Sequence, residues 1–302
     1  MTPAAARAPG LASARPRGRR LDLFPYLLVA PTVLLILGLT VLPAAYAFVM
    51  SLHSVEYLDL GEFVGLQNYA DLLSDPATLA NIATTLRFVA GAMAGYVVLA
   101  FVLALLLNQP IAARPLFRAA LLVPWVTTQV VSTLVAKWVL DFDFGAVDQL
   151  LRAVGLSPIR FLADPTNAMY TLIAVTAWRS APYGMVLLLA GLQTIPVELY
   201  EAAQVDGAGA WHRFRHVTVP LVRGPVLIMV VMESMGLVSL VTPILVLTGG
   251  GPADATEVLA LRLFKEAFTN FNMGVGATVA MLVFAIDVVL SALYVRLLRE
   301  RA

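Results

Sequence analysis

Six long apolar segments separated by shorter polar stretches dominate the chain, and each approaches or exceeds the roughly 20 residues that a helix needs to cross a bilayer. They fall at about 24–51, 83–108, 117–140, 168–190, 226–247 and 274–296. Hydrocarbon offers no water to satisfy open backbone groups, so such segments must be helical. The pattern predicts an all-α membrane protein of six transmembrane helices, with residues 23–302 forming one transmembrane domain.

Residues 1–22, rich in Ala, Pro and Arg without apolar periodicity, predict a disordered tail. A basic tail before an apolar run also fits a secretory signal, and Ala45-Tyr46-Ala47 offers a small-x-small cleavage pattern. The run well exceeds the roughly 7–15 residues of a signal core, so it reads as the first span.

Composition agrees with a membrane protein: 60% of the 302 residues are hydrophobic and 13% charged, against roughly 45–50% and 25% in soluble domains. A net charge of +1 provides no basic field for nucleic acid, which leaves membrane lipid as the surrounding phase. Cysteine is absent, which excludes disulfides and thiolate chemistry.

The arginines are distributed unevenly. With six spans both termini share a side, and that side carries Arg7, Arg15, Arg17, Arg19, Arg20, Arg114, Arg118, Arg213, Arg215, Arg223, Arg296, Arg299 and Arg301. The opposite loops carry Arg152, Arg160, Arg262 and Lys265, and the first of them is acidic through Glu56, Asp59, Glu62, Asp71 and Asp75. Positive charge collects on cytoplasmic flanks, so both termini are expected in the cytoplasm.

The polar stretch between the fourth and fifth spans, YEAAQVDGAGAWHRFRHVTVP at residues 200–220, is then cytoplasmic. Pro196 suits a helix's first turn, Glu198 and Glu201 favour its positive end, and Gly207 supplies a stop or bend. A second helical piece over 208–216 would carry Trp211 and Phe214 until Pro220 breaks the run. The small residues Ala202, Ala203, Gly207, Ala208, Gly209 and Ala210 permit close approach of another backbone. The apolar Tyr200, Val205, Trp211 and Phe214 call for cover, either by a docked partner or by lipid headgroups.

This stretch matches the EAA signature of ABC importer permeases, with Glu201, Ala202, Ala203, Gly207, Val217, Val219 and Pro220 in register. APTVLLILGLTVLPAAYAFVMS, RAALLVPWVTTQVVSTLVAKWVLDFDFG and LTGGGPADATEVLALRLFKEAF extend the likeness over nearly the whole chain, which resembles the carbohydrate-uptake branch of that family. The resemblance implies the type I ABC importer permease fold, in the bacterial inner membrane, with a coupling loop at 195–222 inserted into a groove of a cytoplasmic ATPase. Tyr200, Glu201, Ala202, Ala203, Asp206, Gly207 and Pro220 would form that contact: Glu201 as a charged partner, the alanines for close fit, Gly207 for the bend. It further implies two ATPase copies, a second homologous permease and an extracytoplasmic solute-binding protein. ATP and Mg would reside on the ATPase, with no cofactor on this chain.

The missing chemistry fits that division of labour. The two lysines, Lys137 and Lys265, stand in no phosphate-loop pattern, and the Gly249-Gly250-Gly251-Pro252 run reads as a tight turn. His212 and His216 share a helical face without a nearby third ligand, so no metal site is expected.

Among charges in the spans, Arg87 and Lys137 lie near the outer boundary, where long stems reach water. Arg179, Glu233 and Asp287 lie deeper, where ionisable groups face a bundle interior or an aqueous path. Arg179 is expected either to pair with Glu233 or Asp287 or to line the pathway. Thr127, Thr128 and Gln129 on the third span, and Trp178, Ser180 and Tyr183 on the fourth, offer the polar and aromatic groups of a sugar path. An ion-coupled secondary transporter running through Glu233 or Asp287 is the rival reading, although no inverted repeat is evident. A membrane-embedded enzyme would need a convergent catalytic set, and the sequence offers none.

Overall fold

The computed structural model describes residues 24–56 and 59–299; the expected tail at 1–22 lies outside them. The chain divides into two units between Tyr46 and Ala47. The first holds α1 (Phe24–Ile36), a π-helical turn (Leu37–Val41) and the start of α2 (Leu42–Ser51). Within that turn Leu42 donates to the Leu37 carbonyl, one residue beyond the α-helical register, and Pro43 follows. Proline has no N–H and crowds the preceding turn, and the wider turn gives its ring room.

The second unit begins with a hairpin, β1 (His53–Glu56) against β2 (Asp59–Phe63), antiparallel with Val55 opposite Leu60. This small two-stranded sheet is a minor addition to the expected all-α fold and lies in the loop between the first two spans. After α3 (Gln67–Ser74) comes α4 (Pro76–Asn108), whose Asp75 cap accepts from the Ala77 N–H, and Pro76 occupies the first turn, where no donor is needed. The equally regular α8 (Pro165–Leu192) starts with an Asp164 cap on Asn167 and the same Asp-Pro pair.

These two helices form the centre of the bundle. Phe88, Ala92, Tyr96, Ala100 and Ala104 recur every fourth residue on α4, all buried, against Ala177, Ala181, Gly184, Met185 and Leu188 of α8. Lipid is as apolar as leucine, so helices in a membrane associate by close packing at small residues. A Cβ on Gly184 would sit 2.9 Å from both Ala100 and Tyr96, so the approach requires glycine there.

Two expected spans are not single helices. The third comprises α5 (Arg114–Val126) and α6 (Gln129–Val139), whose axes differ by 101°. Pro124 lies in the last turns of α5, Thr127 and Thr128 are extended, and the Thr128 hydroxyl caps α6 by accepting from Val131. The fifth ends as a helix at Val238: α12 (Arg223–Val238) and α13 (Thr242–Leu247) flank a break at 239–241. Among the described residues four helices are continuous and apolar enough to cross a membrane, at Tyr26–Ser51, Pro76–Leu107, Pro165–Leu192 and Met273–Arg296. The number rises to six when Arg114–Val126 with Gln129–Val139, and Ala210–Leu221 with Arg223–Val238, are each counted as one bent span.

Short helices α7 (Ala146–Ala153) and α14 (Leu259–Phe268) lie between spans, and α15 (Met273–Arg299) closes the chain. Between α13 and α14 the glycine run forms the expected turn, with Gly249 and Gly250 at φ +64° and +95°. Lys137 is exposed and donates to the Val246 carbonyl on α13.

A loop network ties α14 to the start of α4. Arg262 bonds Asp75 at 2.7 Å and Asn81 at 3.0 Å, and Asn81 in turn donates to the Glu257 carbonyl. The Arg262 hydrogen bond and the Ala77 N–H hold the Asp75 carboxyl at about 2, below its ordinary 3.8. A depressed carboxylate contributes stability fully above its ordinary value and loses it as the pH falls through the depressed one. Amide protection in the 252–262 segment, measured as exchange relative to the intrinsic rate at each pH, is therefore expected to hold from pH 7 down to about pH 4 and to fall towards pH 2. Arg262→Gln should remove that pH step and speed exchange several-fold already at pH 7; an unchanged profile would refute the tie.

Candidate functional site

Two regions gather the residues singled out above. The first is the loop following α8. Pro196 stands at the N-cap of α9 (Val197–Val205), which ends through Gly207 at φ +81°. The Ala208 N–H bonds the Ala203 carbonyl at 2.9 Å and the Asp206 N–H bonds that of Ala202 at 3.0 Å, so Gly207 closes the helix in the left-handed conformation that glycine adopts without strain.

The chain then enters α10 (Ala210–Arg213), a second π-helical turn (Phe214–Thr218) and α11 (Val219–Leu221). Here the expectation about Pro220 is corrected: the run continues through it and bends 67° where α12 begins. Val219 donates to the Phe214 carbonyl across the widened turn, immediately before the proline, as at Pro43. Both π turns thus accommodate a ring that an α-helix would reject.

Tyr200 and Thr218 join the two arms of this loop by a 3.0 Å hydroxyl contact, and Arg213 donates to Gln204. Glu201, Ala202, Asp206 and Gly207 are exposed and Ala203 is half-buried. Val205 and Trp211 are 88% and 70% exposed, which leaves a large apolar surface uncovered. Beside it a recess of about 620 Å³ is lined by Asn108, Gln109, Leu192, Tyr200, Trp211 and Phe214. His212 and His216 stack at 4.0 Å, and no group of three metal-ligating side chains occurs among the described residues.

The second region is a cavity of about 130 Å³ among α5, α6, α8 and α12. Arg179 and Glu233 face it together with Gln129, Ser180, Trp125, Thr133 and Thr176. The Arg179 Nε and the Thr176 hydroxyl are buried without hydrogen-bond partners.

The proposed ion pairs are absent. Among the described residues the ion pairs are Arg152–Asp148, Arg262–Asp75 and Lys265–Glu257, and none includes Arg179, Glu233 or Asp287. Arg179 and Glu233 line the same cavity without joining, whereas Asp287 accepts from Ser239 at the break after α12. Of the other sequence candidates, Thr128 caps α6 and Trp178 lines a separate groove with Thr127 and Pro182. Tyr183 stacks on Trp125 at 5.3 Å and donates to the Met232 sulfur.

Sequence reasoning missed Trp125, Thr133 and Thr176. Thr133 stands four residues after Gln129, one turn along α6 on the same face, which is a legible signal; Trp125 reaches the cavity only through the bend at 127–128.

Residues 88–301 match the family model described as "binding-protein-dependent transport system inner membrane component". The chain belongs to that family. The match covers both the 195–222 loop and the cavity of this inner-membrane component. It is 31% identical to the trehalose/maltose transport system permease protein MalF of Thermococcus litoralis, over 91% of this chain and 94% of the relative. It is 29% identical to the sulfoquinovosyl glycerol transport system permease protein SmoG of Agrobacterium fabrum, over 92% and 91%. A crystal structure of a bacterial alginate ABC transporter in complex with alginate pentasaccharide-bound periplasmic protein shares the fold, with TM-score 0.78, 18% identity and coverage of 90% and 93%. Membership in the family favours a binding-protein-dependent system over the ion-coupled carrier.

Proposed function

We propose that this inner-membrane component is the transmembrane permease subunit of an ATP-driven importer for a sugar or related polyol. The carbohydrate names carried by its relatives support the substrate class. The single observation that carries the coupling role is the uncovered apolar surface of α9 and α10, bent at Gly207 beside a wide recess. A cytoplasmic ATPase inserted there would cover Val205 and Trp211 and meet Glu201. That ATPase, in two copies, would carry ATP and Mg, since this chain has no phosphate-loop lysine.

The assembly we infer adds a second homologous permease and an extracytoplasmic binding protein at the acidic first outer loop. The arginine asymmetry supports cytoplasmic termini and a cytoplasmic coupling loop. Arg179, Glu233, Gln129 and the Trp125–Tyr183 stack would line the sugar's path, offering charged hydrogen bonds and an aromatic face.

Affinity purification of the tagged chain under mild detergent tests the reading. Recovery of an ATPase subunit together with a second permease is the expected result. ATP-driven uptake by the recovered complex should persist when a protonophore collapses the proton gradient. Purification without any ATPase, or uptake abolished by the protonophore with ATP still present, would overturn it.

A further inference from the structure

At the coupling-loop end of the bundle, two arginines lack the partners that their burial requires. Arg114 and Arg118 stand four residues apart on α5, and the Nε and Nη2 of Arg114 and the Nε of Arg118 are buried without any hydrogen-bond partner. Neither forms an ion pair among the described residues. Both side chains are half-buried, and buried donors of a charged group are normally satisfied, so each of these unpartnered nitrogens is costly.

Their setting adds two further unfavourable terms. Like charges one helical turn apart repel, and both lie near the positive end of α5, whose first turn has no acidic residue and whose N-cap, Ala113, provides no side-chain acceptor. An anion with several acceptor oxygens would offset all of these together.

The same stretch shows where the anion comes from. Leu116 and Phe117, between the two arginines, are 69% and 52% exposed, while Leu121 and Leu122 pack on the buried cluster of Leu107, Leu188, Leu192 and Val222. Asn108 and Gln109, just upstream, line the recess with Trp211 and Phe214, which fixes these arginines at the coupling-loop end. Guanidinium donors beside exposed apolar side chains at the end of a membrane helix match a phospholipid, whose phosphate and acyl chains lie at those two levels.

We propose that Arg114 and Arg118 hold the phosphate of an anionic phospholipid in the leaflet on the coupling-loop side. The lipid neutralises both guanidinium groups and fixes the entry of α5, the helix that leads to Trp125 at the cavity. This site is separate from the apolar surface assigned to the ATPase and does not depend on the substrate carried.

Native mass spectrometry of the purified chain with phosphatidylglycerol and phosphatidylcholine tests it. The wild-type chain should retain phosphatidylglycerol selectively, and Arg114→Gln/Arg118→Gln should weaken that retention roughly 30-fold, from about 1 kcal/mol per arginine near a membrane surface. Arg223→Gln, a single exposed arginine at the same end, should change it by no more than about five-fold. If the double variant does not fold, the wild type remains decisive: phenylglyoxal modification of Arg114 and Arg118, mapped by peptide mass, should be blocked by phosphatidylglycerol vesicles but not by phosphatidylcholine vesicles. Equal retention of the two lipids overturns the proposal. Equal protection by inorganic phosphate at matched phosphate concentration assigns the site to free phosphate and overturns the lipid. Protection by a bound ATPase without lipid assigns it to a protein carboxylate, with the same consequence.

Discussion

Valine at position 207 is expected to cut substrate uptake by about 10- to 100-fold while ATP hydrolysis by the assembled complex continues. Gly207 sits at φ +81°, where a β-branched side chain is strained by roughly 1–2 kcal/mol, and its turn is closed by hydrogen bonds each contributing about 1 kcal/mol. Together these shift the local equilibrium away from the observed bend by about two orders of magnitude. A Cβ at 207 meets nothing within 4 Å, so the chain itself raises no steric objection. Asparagine tolerates the left-handed conformation, and Gly207→Asn should therefore retain most of the coupling. Parallel measurement of uptake and hydrolysis in proteoliposomes separates the causes. If asparagine is as damaging as valine, the requirement is space for a partner and the bend is not the reason. Glu201→Arg, exposed and one turn and a half earlier on α9, should reduce coupling without disturbing Gly207's turn.

The parts of the fold legible in the sequence are those that repeat locally. The apolar runs fixed where helices cross, because each run satisfies its own backbone and needs no distant partner. Gly207 was legible because a glycine seven residues beyond Tyr200, at the end of a helical pattern, has one common conformational use. The break at Thr127–Thr128 was not legible: threonine is compatible with helix and extended backbone alike, and Pro124 alone would also fit a kinked span. Pro220 misled for a related reason, since a π turn lets the chain pass a proline that breaks an α-helix. Helix rotation was equally hidden. Trp178 and Arg179 are neighbours in sequence, yet about 100° of helical turn sends one to an outer groove and the other to the cavity. The Asp75–Arg262 contact joins residues from the two ends of the domain, and nothing local announces such a pair.

Removing Arg179 and Glu233 together is expected to be no milder than removing either alone. In a buried ion pair, deleting one partner strands the other charge, and deleting both restores balance. Here the two groups line one cavity and attract each other across it without forming an ion pair among the described residues, and the Arg179 Nε has no hydrogen-bond partner. The open Nε of Arg179 is therefore available to the passing solute, and Glu233, which accepts from Ser180, presents its carboxylate to the same cavity. A charged hydrogen bond contributes about 1.5–3 kcal/mol, so Arg179→Ala and Glu233→Ala should each lower uptake by roughly 10- to 100-fold. In the double variant the losses should compound, and the protein's melting temperature should follow the sum of the single changes rather than recover. Trp125→Ala should also impair uptake by removing the face that stacks on Tyr183, whereas Trp178→Ala, in its separate groove, should change uptake less than about two-fold. Uptake restored in Arg179→Ala/Glu233→Ala would show that the two side chains serve each other. The polar lining would then be a structural pair opened in this conformation, and the solute's contacts would have to be sought along the Gln129–Thr133 face of α6.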